Sequence, residues 1–485
     1  MKPSLESMAR LGLACIVALG AISCKEGGGS EPQSAVASSS QQPSSGDEPV
    51  KVLRGPILHF LADPAASSNQ QEAVQYLEDG ILIVRDGLIE KIGPASTLQN
   101  QLPAGVKVRS LGPDQLIIPG FVDMHIHYPQ TEMVGAYGEQ LLDWLKKYTF
   151  PTEQQFKDTT YAAKIAGFFL NELLKNGTTT ALVFATVHKQ SVDALFEKAS
   201  ALGMRLIAGK VMMDRNAPEY LLDTPESSYQ DSKELIQKWH KKGRLLYALT
   251  PRFAPTSTPA QLEMAQKLKK EFPDVYVHTH LSENLSEVDW VKSLFPERSG
   301  YLDVYDHYSL TGNRSVFAHS VHLSDQEFEV TGKTQSSIAF CPTSNLFLGS
   351  GLFKLDKARA ANVRVGLGTD IGAGTSFSHF ETLGEAYKVM QLQSKKLSAY
   401  EGFYLATLGG AKALSLDDRI GNLLPGKEAD FIVLKLAATD LQRLRLASSK
   451  ALDEKLFALM TLGDERNIQA TYVSGRLVFQ NPVVP

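Results

Sequence analysis

The chain has 485 residues, 43% of them hydrophobic and 21% charged, with a formal net charge of −4. This is ordinary globular composition, long enough for more than one core, and three cysteines are too few for a disulfide framework. With a slight acidic excess and no basic block, a nucleic-acid polymer is not an expected partner.

The first segment has the form of a targeting signal. Lys2 and Arg10 make a positive start, Leu11 to Ile22 an apolar stretch, and Ala21-Ile22-Ser23-Cys24 a small-residue cleavage site. The stretch is about 12 residues, short of the ~20 that a membrane span needs. Because it ends on a cysteine, 1–23 resembles a bacterial lipoprotein signal, with Cys24 as the lipidated first residue of the mature chain. An uncleaved anchor or an ordinary signal peptide is the alternative. The following stretch, 24–50, is rich in Gly, Ser and Pro and is expected to be a disordered tether. Cys15, inside the apolar stretch, and Cys341, after a strand-like run, read as small buried hydrophobes.

From Val52 the pattern turns strand-like, and Gly80 to Gly93 reads as a hairpin turning at Asp86-Gly87. Eight short apolar runs follow: Phe121–His127, Thr178–Ala185, Arg205–Met212, Leu245–Leu249, Val275–His280, Ser315–Ala318, Ser337–Phe340 and Val363–Leu367. Helical patterns such as Gln155–Leu174 and Pro259–Lys270 separate them. Strand–helix alternation repeated eight times predicts an α/β protein with a (β/α)₈ TIM-like barrel over 119–417. Short strands return at Asp430–Leu434 and Thr471–Phe479. The two β-rich ends, 51–118 and 418–485, are expected to meet as a small β-sandwich.

Chemistry gathers at the ends of these runs. On a strand, His125 and His127 point the same way because alternate side chains share a face. His280, His319 and Asp370 each close another run, on the barrel face that carries active sites. Neutral nitrogens with one carboxylate suit Zn²⁺, and a catalytic zinc keeps one position open for water, so a metal-dependent hydrolase is expected. His278 shares the face of His280 and stays open as a ligand in its place. His59, His188, His240, His307, His322 and His379 have no motif around them and read as structural. Glu283, three residues after His280, could take the water proton and deliver it to a ring nitrogen, while Asp370 could pass one to a departing amine.

Pro119-Gly120-Phe121-Val122-Asp123-Met124-His125-Ile126-His127 resembles the first-strand motif of the amidohydrolase superfamily. Within it, His127-Tyr128-Pro129-Gln130-Thr131-Glu132, Tyr148-Thr149-Phe150-Pro151, Thr250-Pro251-Arg252-Phe253-Ala254, His280-Leu281-Ser282-Glu283-Asn284, Cys341-Pro342-Thr343-Ser344-Asn345-Leu346 and Gly368-Thr369-Asp370 resemble the guanine deaminase family, the bacterial form most closely. The resemblance extends from about Pro56 to Pro485. It implies one zinc ion per chain, with His125, His127, His280 and Asp370 as ligands and His319 beside the metal or its water. It implies that Gln130, Arg252, Phe253 and His280 contact the purine, and that Glu283, Asp370 and His319 act in catalysis. No lysine matches the carboxylated one of two-metal members; Lys210 is expected in the barrel interior or on its bottom face. Phe340 stands where some relatives carry histidine.

The implied reaction is hydrolytic deamination of guanine at C2, giving xanthine and ammonia. Arg252 is suited to donate to the carbonyl oxygen at C6 and to reject adenine, whose exocyclic amine cannot accept there. A homodimer is implied as well. The amino-terminal signal leads us to expect the protein on a bacterial envelope, periplasmic or outer face, the alternative being the cytoplasm, where the family usually acts. The alternatives are an amidohydrolase for another aminated heterocycle (another purine, a pterin or a triazine), or a lipoprotein that binds purines without turnover.

Overall fold

The structure is a computed structural model and describes residues 50–67, 70–138 and 140–482. The expected signal, Cys15, the lipidation site Cys24 and the tether up to residue 49 lie outside these residues. Among the described residues, no helix is long and apolar enough to cross a membrane.

Each of the eight apolar runs forms a barrel strand. They are β6 (Phe121–His127), β7 (Thr178–Phe184), β8 (Arg205–Gly209) with its short continuation β9 (Val211–Met212), β10 (Leu245–Pro251), β11 (Tyr276–Leu281), β12 (Ser315–His319), β13 (Ser337–Phe340) and β14 (Arg364–Leu367). Neighbours pair in parallel from β6 round to β14. The ring closes just beyond β14, where Asp370 N donates to His125 O and His127 N to Ile371 O, both at 2.9 Å. Helices such as Thr159–Lys175 and Pro259–Glu271 cover the outside, each started by a side-chain cap, Asp158 and Thr258 respectively.

Strict alternation does not describe β6. Val122 and Met124 join the cluster inside the barrel, with Leu182, Ile207, Tyr276 and Val316, while Phe121 and Ile126 join the one outside. The register shifts between Asp123 and Ile126. A bulge of this kind re-aims side chains next to an active site. Here it lets His125 and His127 face inward directly above Met124. The apolar filling below them shuts the barrel from its lower end, each fully buried aliphatic contributing about 1.5–3 kcal/mol.

The two β-rich ends meet, and they do so as one hydrogen-bonded eight-stranded mixed sheet. It contains β1 (Lys51–Phe60), β2 (Val74–Arg85), β3 (Leu88–Pro94), β4 (Val108–Ser110), β5 (Gln115–Pro119), β15 (Phe431–Lys435), β16 (Ile468–Val473) and β17 (Arg476–Gln480). The predicted hairpin is β2–β3, and both turn residues, Asp86 and Gly87, have positive φ as a type I′ turn requires. The sheet is fastened to the lower rim of the barrel by ions. Arg205, at the start of β8, and Arg244, just before β10, both donate to Glu428, and Arg244 also reaches Asp430.

Candidate active site

The barrel topology brings the dispersed residues to one point. His127 Nε2 lies 3.2 Å from both His125 Nε2 and His280 Nε2, and Asp370 Oδ1 lies 3.1 Å from His125 Nε2 and 3.4 Å from His127 Nε2. His319 Nε2 is 3.7 Å from Asp370 Oδ2 and 3.4 Å from Glu283 Oε2. All are buried except His280, which is partly exposed.

Hydrogen bonds behind the rings fix which nitrogen faces inward. His280 Nδ1 donates to the carbonyl of Arg252 at 2.7 Å, leaving Nε2 as a free lone pair in the cluster. His319 Nδ1 donates to Asn345 Oδ1 at 2.8 Å, so Nε2 is the nitrogen facing the cluster. His125 Nδ1 lies 2.8 Å from His278 Nε2. His278 therefore stands behind His125, and His280 is the residue of that strand facing the cluster.

This donor set fits a metal ion. Bonds of ~2.0–2.1 Å opening at tetrahedral angles put neighbouring donor atoms about 3.4 Å apart, and the spacings of 3.1 to 3.4 Å here match. Burial, reinforced by mutual repulsion, drives the imidazoles of His125, His127 and His280 well below their ordinary pKa, so they are the neutral form that ligates. The histidine partners behind them are of the kind that orient ligand rings in metal sites.

Backbone strain marks the same place. His319 and Asp370 both adopt left-handed φ, 68° and 51°, at a cost of about 1–3 kcal/mol each. Asp370 is held there by a brace on the neighbouring strand: Asp123 accepts from Thr369 N at 3.1 Å and Thr369 Oγ1 at 2.5 Å. Burial raises the Asp123 carboxyl to about 7. Gly368 permits the close approach, since a Cβ there would lie 2.9 Å from His125 Cβ and from Cys341 Sγ. Cys341 is itself buried, its thiol pushed well up by burial, and it packs as expected.

Glu283 adjoins the cluster on the loop between β11 and the helix Leu285–Leu294. The carboxylate of Glu287 accepts the backbone N–H of Glu283 at 2.9 Å and of Asn284 at 3.1 Å, holding the loop. Glu283 Oε1 accepts from Ser350 Oγ at 3.2 Å. Burial, and then the charge of Asp370, raise its carboxyl to about 8, and burial raises Asp370 to about 6. Two carboxyls tuned towards neutrality suit proton transfer at ordinary pH.

Above the cluster opens a pocket at the upper end of the barrel. His127, His280, His319, Glu283 and Asp370 form its floor, and Gln130, Arg252 and Phe253 line it with Leu141, Trp144, Leu145, Leu348 and Ala373. All the sequence-predicted site residues except the lipidation residue Cys24 are therefore together. Lys210 is not at the bottom face: it follows the upper end of β8, fully buried and ion-paired to Asp223. Tyr128 packs in the core, its hydroxyl donating to Ser191 O. Phe340 packs against Phe353.

Sequence reading missed Glu153. It lies in the short helix Phe150–Glu153, is fully buried, accepts Arg252 Nη1 on both oxygens at 2.9 and 2.8 Å, and accepts Gln130 Nε2 at 3.2 Å. It sits two residues beyond the Tyr148–Pro151 motif, and nothing in its local pattern distinguishes it from a solvated helix carboxylate.

The model of the amidohydrolase family matches residues 116–478. Guanine deaminase of Escherichia coli (strain K12) is 61% identical over 436 residues, covering 90% of this chain and 99% of that protein. Its solved structure superposes with a TM-score of 0.87 over 89% of this chain and 99% of its own. Guanine deaminase of Bradyrhizobium japonicum, 41% identical, has a TM-score of 0.86, with 89% and 99% covered. A guanine deaminase structure from C. acetobutylicum with guanine bound in the active site is 32% identical, TM-score 0.79, with 89% and 100% covered.

Proposed function

The chain belongs to the amidohydrolase family, and on that premise we propose that it is a guanine aminohydrolase, converting guanine and water to xanthine and ammonia. The observation that carries this is the pocket itself, lined together by a buried carboxyl at a histidine cluster and a buried arginine–glutamine edge. The 61% identity to a guanine deaminase over nearly its whole length supports the same reading.

His125, His127, His280 and Asp370 would hold the metal, with His319 beside it. Nitrogen donors with one carboxylate favour zinc. A zinc ion in such a site supplies water activation, lowering the pKa of its bound water towards neutrality. The rest falls to side chains. Arg252 donates to the oxygen at C6, Gln130 offers its remaining N–H to the purine edge, and Phe253 packs beside the ring. His280 borders the substrate as well as the metal. Glu283 takes a proton from the attacking water and delivers it to a ring nitrogen as the new C–O bond forms at C2. His319, its ring fixed by Asn345, turns Nε2 towards Glu283 and Asp370. Asp370 relays the remaining proton of that water, from the hydroxyl added at C2, to the exocyclic amine; the C–N bond breaks, the C2 carbonyl forms, and ammonia leaves.

The test is ammonia release by the purified, zinc-loaded protein offered guanine, adenine, a pterin and a triazine side by side, with a chelated control. Turnover of guanine alone, lost on chelation, is expected. Turnover of another heterocycle instead would overturn the purine-edge assignment, and zinc and guanine binding without turnover would favour a binding protein. Attachment to a bacterial envelope through a lipid on Cys24 belongs to the same proposal, and Cys24→Ser should then release the protein into the soluble fraction. So does a homodimer, read by sedimentation.

A further inference from the structure

The mechanism gives no task to Glu153, although its carboxylate is fully buried and shared between the two residues of the purine edge. Its placement is built rather than incidental. Phe150 and Glu153, three apart on one short helix, lie on one side of it, and both reach Arg252: the guanidinium carbon stands 5.6 Å from the Phe150 ring centre. The ion pair uses only Nη1 of Arg252, so the Nε and Nη2 donors are not spent on it. Gln130 is fixed as firmly. Its Nε2 donates to Glu153 and its Oε1 accepts from Gly372 N at 3.3 Å, which settles the orientation of the amide.

Charge gives the pair a second consequence. Guanine is uncharged near neutral pH, whereas xanthine loses a ring proton close to neutrality. A lone guanidinium in a low-dielectric cavity would attract that anion strongly. We propose that Glu153 is the positioning residue of the purine edge and the determinant of product release: it aims Arg252 and Gln130 at the neutral substrate while cancelling the charge that would otherwise retain the xanthine anion. This rests on the guanine reading above.

The experiment compares the unaltered protein with Glu153→Gln, both zinc-loaded, for guanine turnover and for inhibition by xanthine between pH 6 and 9. Below the pH at which xanthine ionises, the variant should raise KM for guanine by about 10-fold with kcat little changed, since an aligned ground-state contact is lost. It should bind neutral xanthine more weakly, in step with guanine, below the pH at which xanthine ionises, and bind the xanthine anion more tightly, by about 10-fold, above it. These opposite movements are what a merely structural role does not produce. Unchanged constants, or guanine and xanthine weakened by one factor at every pH, would overturn the proposal. If the variant does not fold, the unaltered protein still decides: its inhibition by xanthine must weaken as pH rises through xanthine's own ionisation, and strengthening there overturns the proposal. Failure of the unaltered protein to act on guanine at all would sink the underlying reading and this proposal with it. Failure of Glu153 alone leaves that turnover intact.

Discussion

Glu283 shows how much one side chain depends on its surroundings. A glutamate just after a strand ordinarily ionises well below neutral pH; here burial first, and Asp370 second, raise it to about 8. Glu287 and Ser350 hold it in place without neutralising it. Replacing Glu283 by Gln keeps the shape and removes the exchangeable proton. Turnover should fall by roughly 10²–10⁴, while metal content and guanine affinity stay near those of the unaltered protein. Turnover within a few-fold of normal would remove Glu283 from the proton path. The candidate ligands were legible as residues because His-x-His and the motif around His280 carry their chemistry locally. The motif that follows His280 favours it over His278, but the contacts behind the two rings are not legible in the sequence. The Arg252 carbonyl, just beyond β10, takes Nδ1 of His280 and turns its Nε2 to the cluster, while His278 lies behind His125.

Among the elements, the upper and lower ends of the barrel have different duties. The upper ends carry the cavity, whereas the lower rim carries the link to the mixed sheet through Arg205, Arg244, Glu428 and Asp430. The Arg205 side chain is only 5% exposed. Removing its partner strands a buried charge, which costs about 3–5 kcal/mol. Glu428→Ala should therefore lower the thermal midpoint by several degrees, yet leave kcat/KM of the folded protein unchanged at 25 °C. A loss of activity without loss of stability would mean that the sheet tunes the site. All eight barrel strands were visible as apolar runs, since a strand buried on both faces needs no alternation to be recognised. The bulge in β6 was not visible: Met124 and His125 both point inward, and no period-2 pattern predicts that.

Over the whole molecule, burying so many titratable groups at one place makes stability depend on pH and on metal. The folded imidazoles of His125, His127, His278 and His280 resist protonation, their pKa values held well below 6.5 by burial. Below about pH 6.5 the unfolded chain binds protons that the folded one refuses, so this contribution is lost as pH falls. The carboxyls have the opposite sign. Asp370, Asp123, Glu287 and Glu283 are raised by burial to about 6, 7, 7 and 8, from 3.8 or 4.5. Their contribution is complete below the unfolded values and is lost as pH rises through the folded ones. The two slopes oppose each other between about 4.5 and 6.5. Chelated protein should therefore show a plateau of thermal midpoint in that window, with a decline on either side, continuing on the alkaline side to about pH 8. Adding metal should raise the midpoint, because it binds only the assembled cluster. The increase should be larger at pH 8 than at pH 6, since a cation favours the ionised carboxylates. A gap that narrows with pH would contradict this assignment of the buried charges.

The sequence alone determined the strand–helix alternation, the hairpin at Asp86-Gly87 and the residues from which a metal site could be made. Each of these is written in nearest-neighbour chemistry: apolar runs, turn residues, donor atoms at short spacing. Only the tertiary structure decided that His278 stands behind His125, that β6 bulges, that the two ends share one sheet, and that Glu153 clasps Arg252 from ninety-nine positions away. Those outcomes depend on which elements the closed barrel brings within hydrogen-bonding distance, and on how far burial shifts a group once it is there.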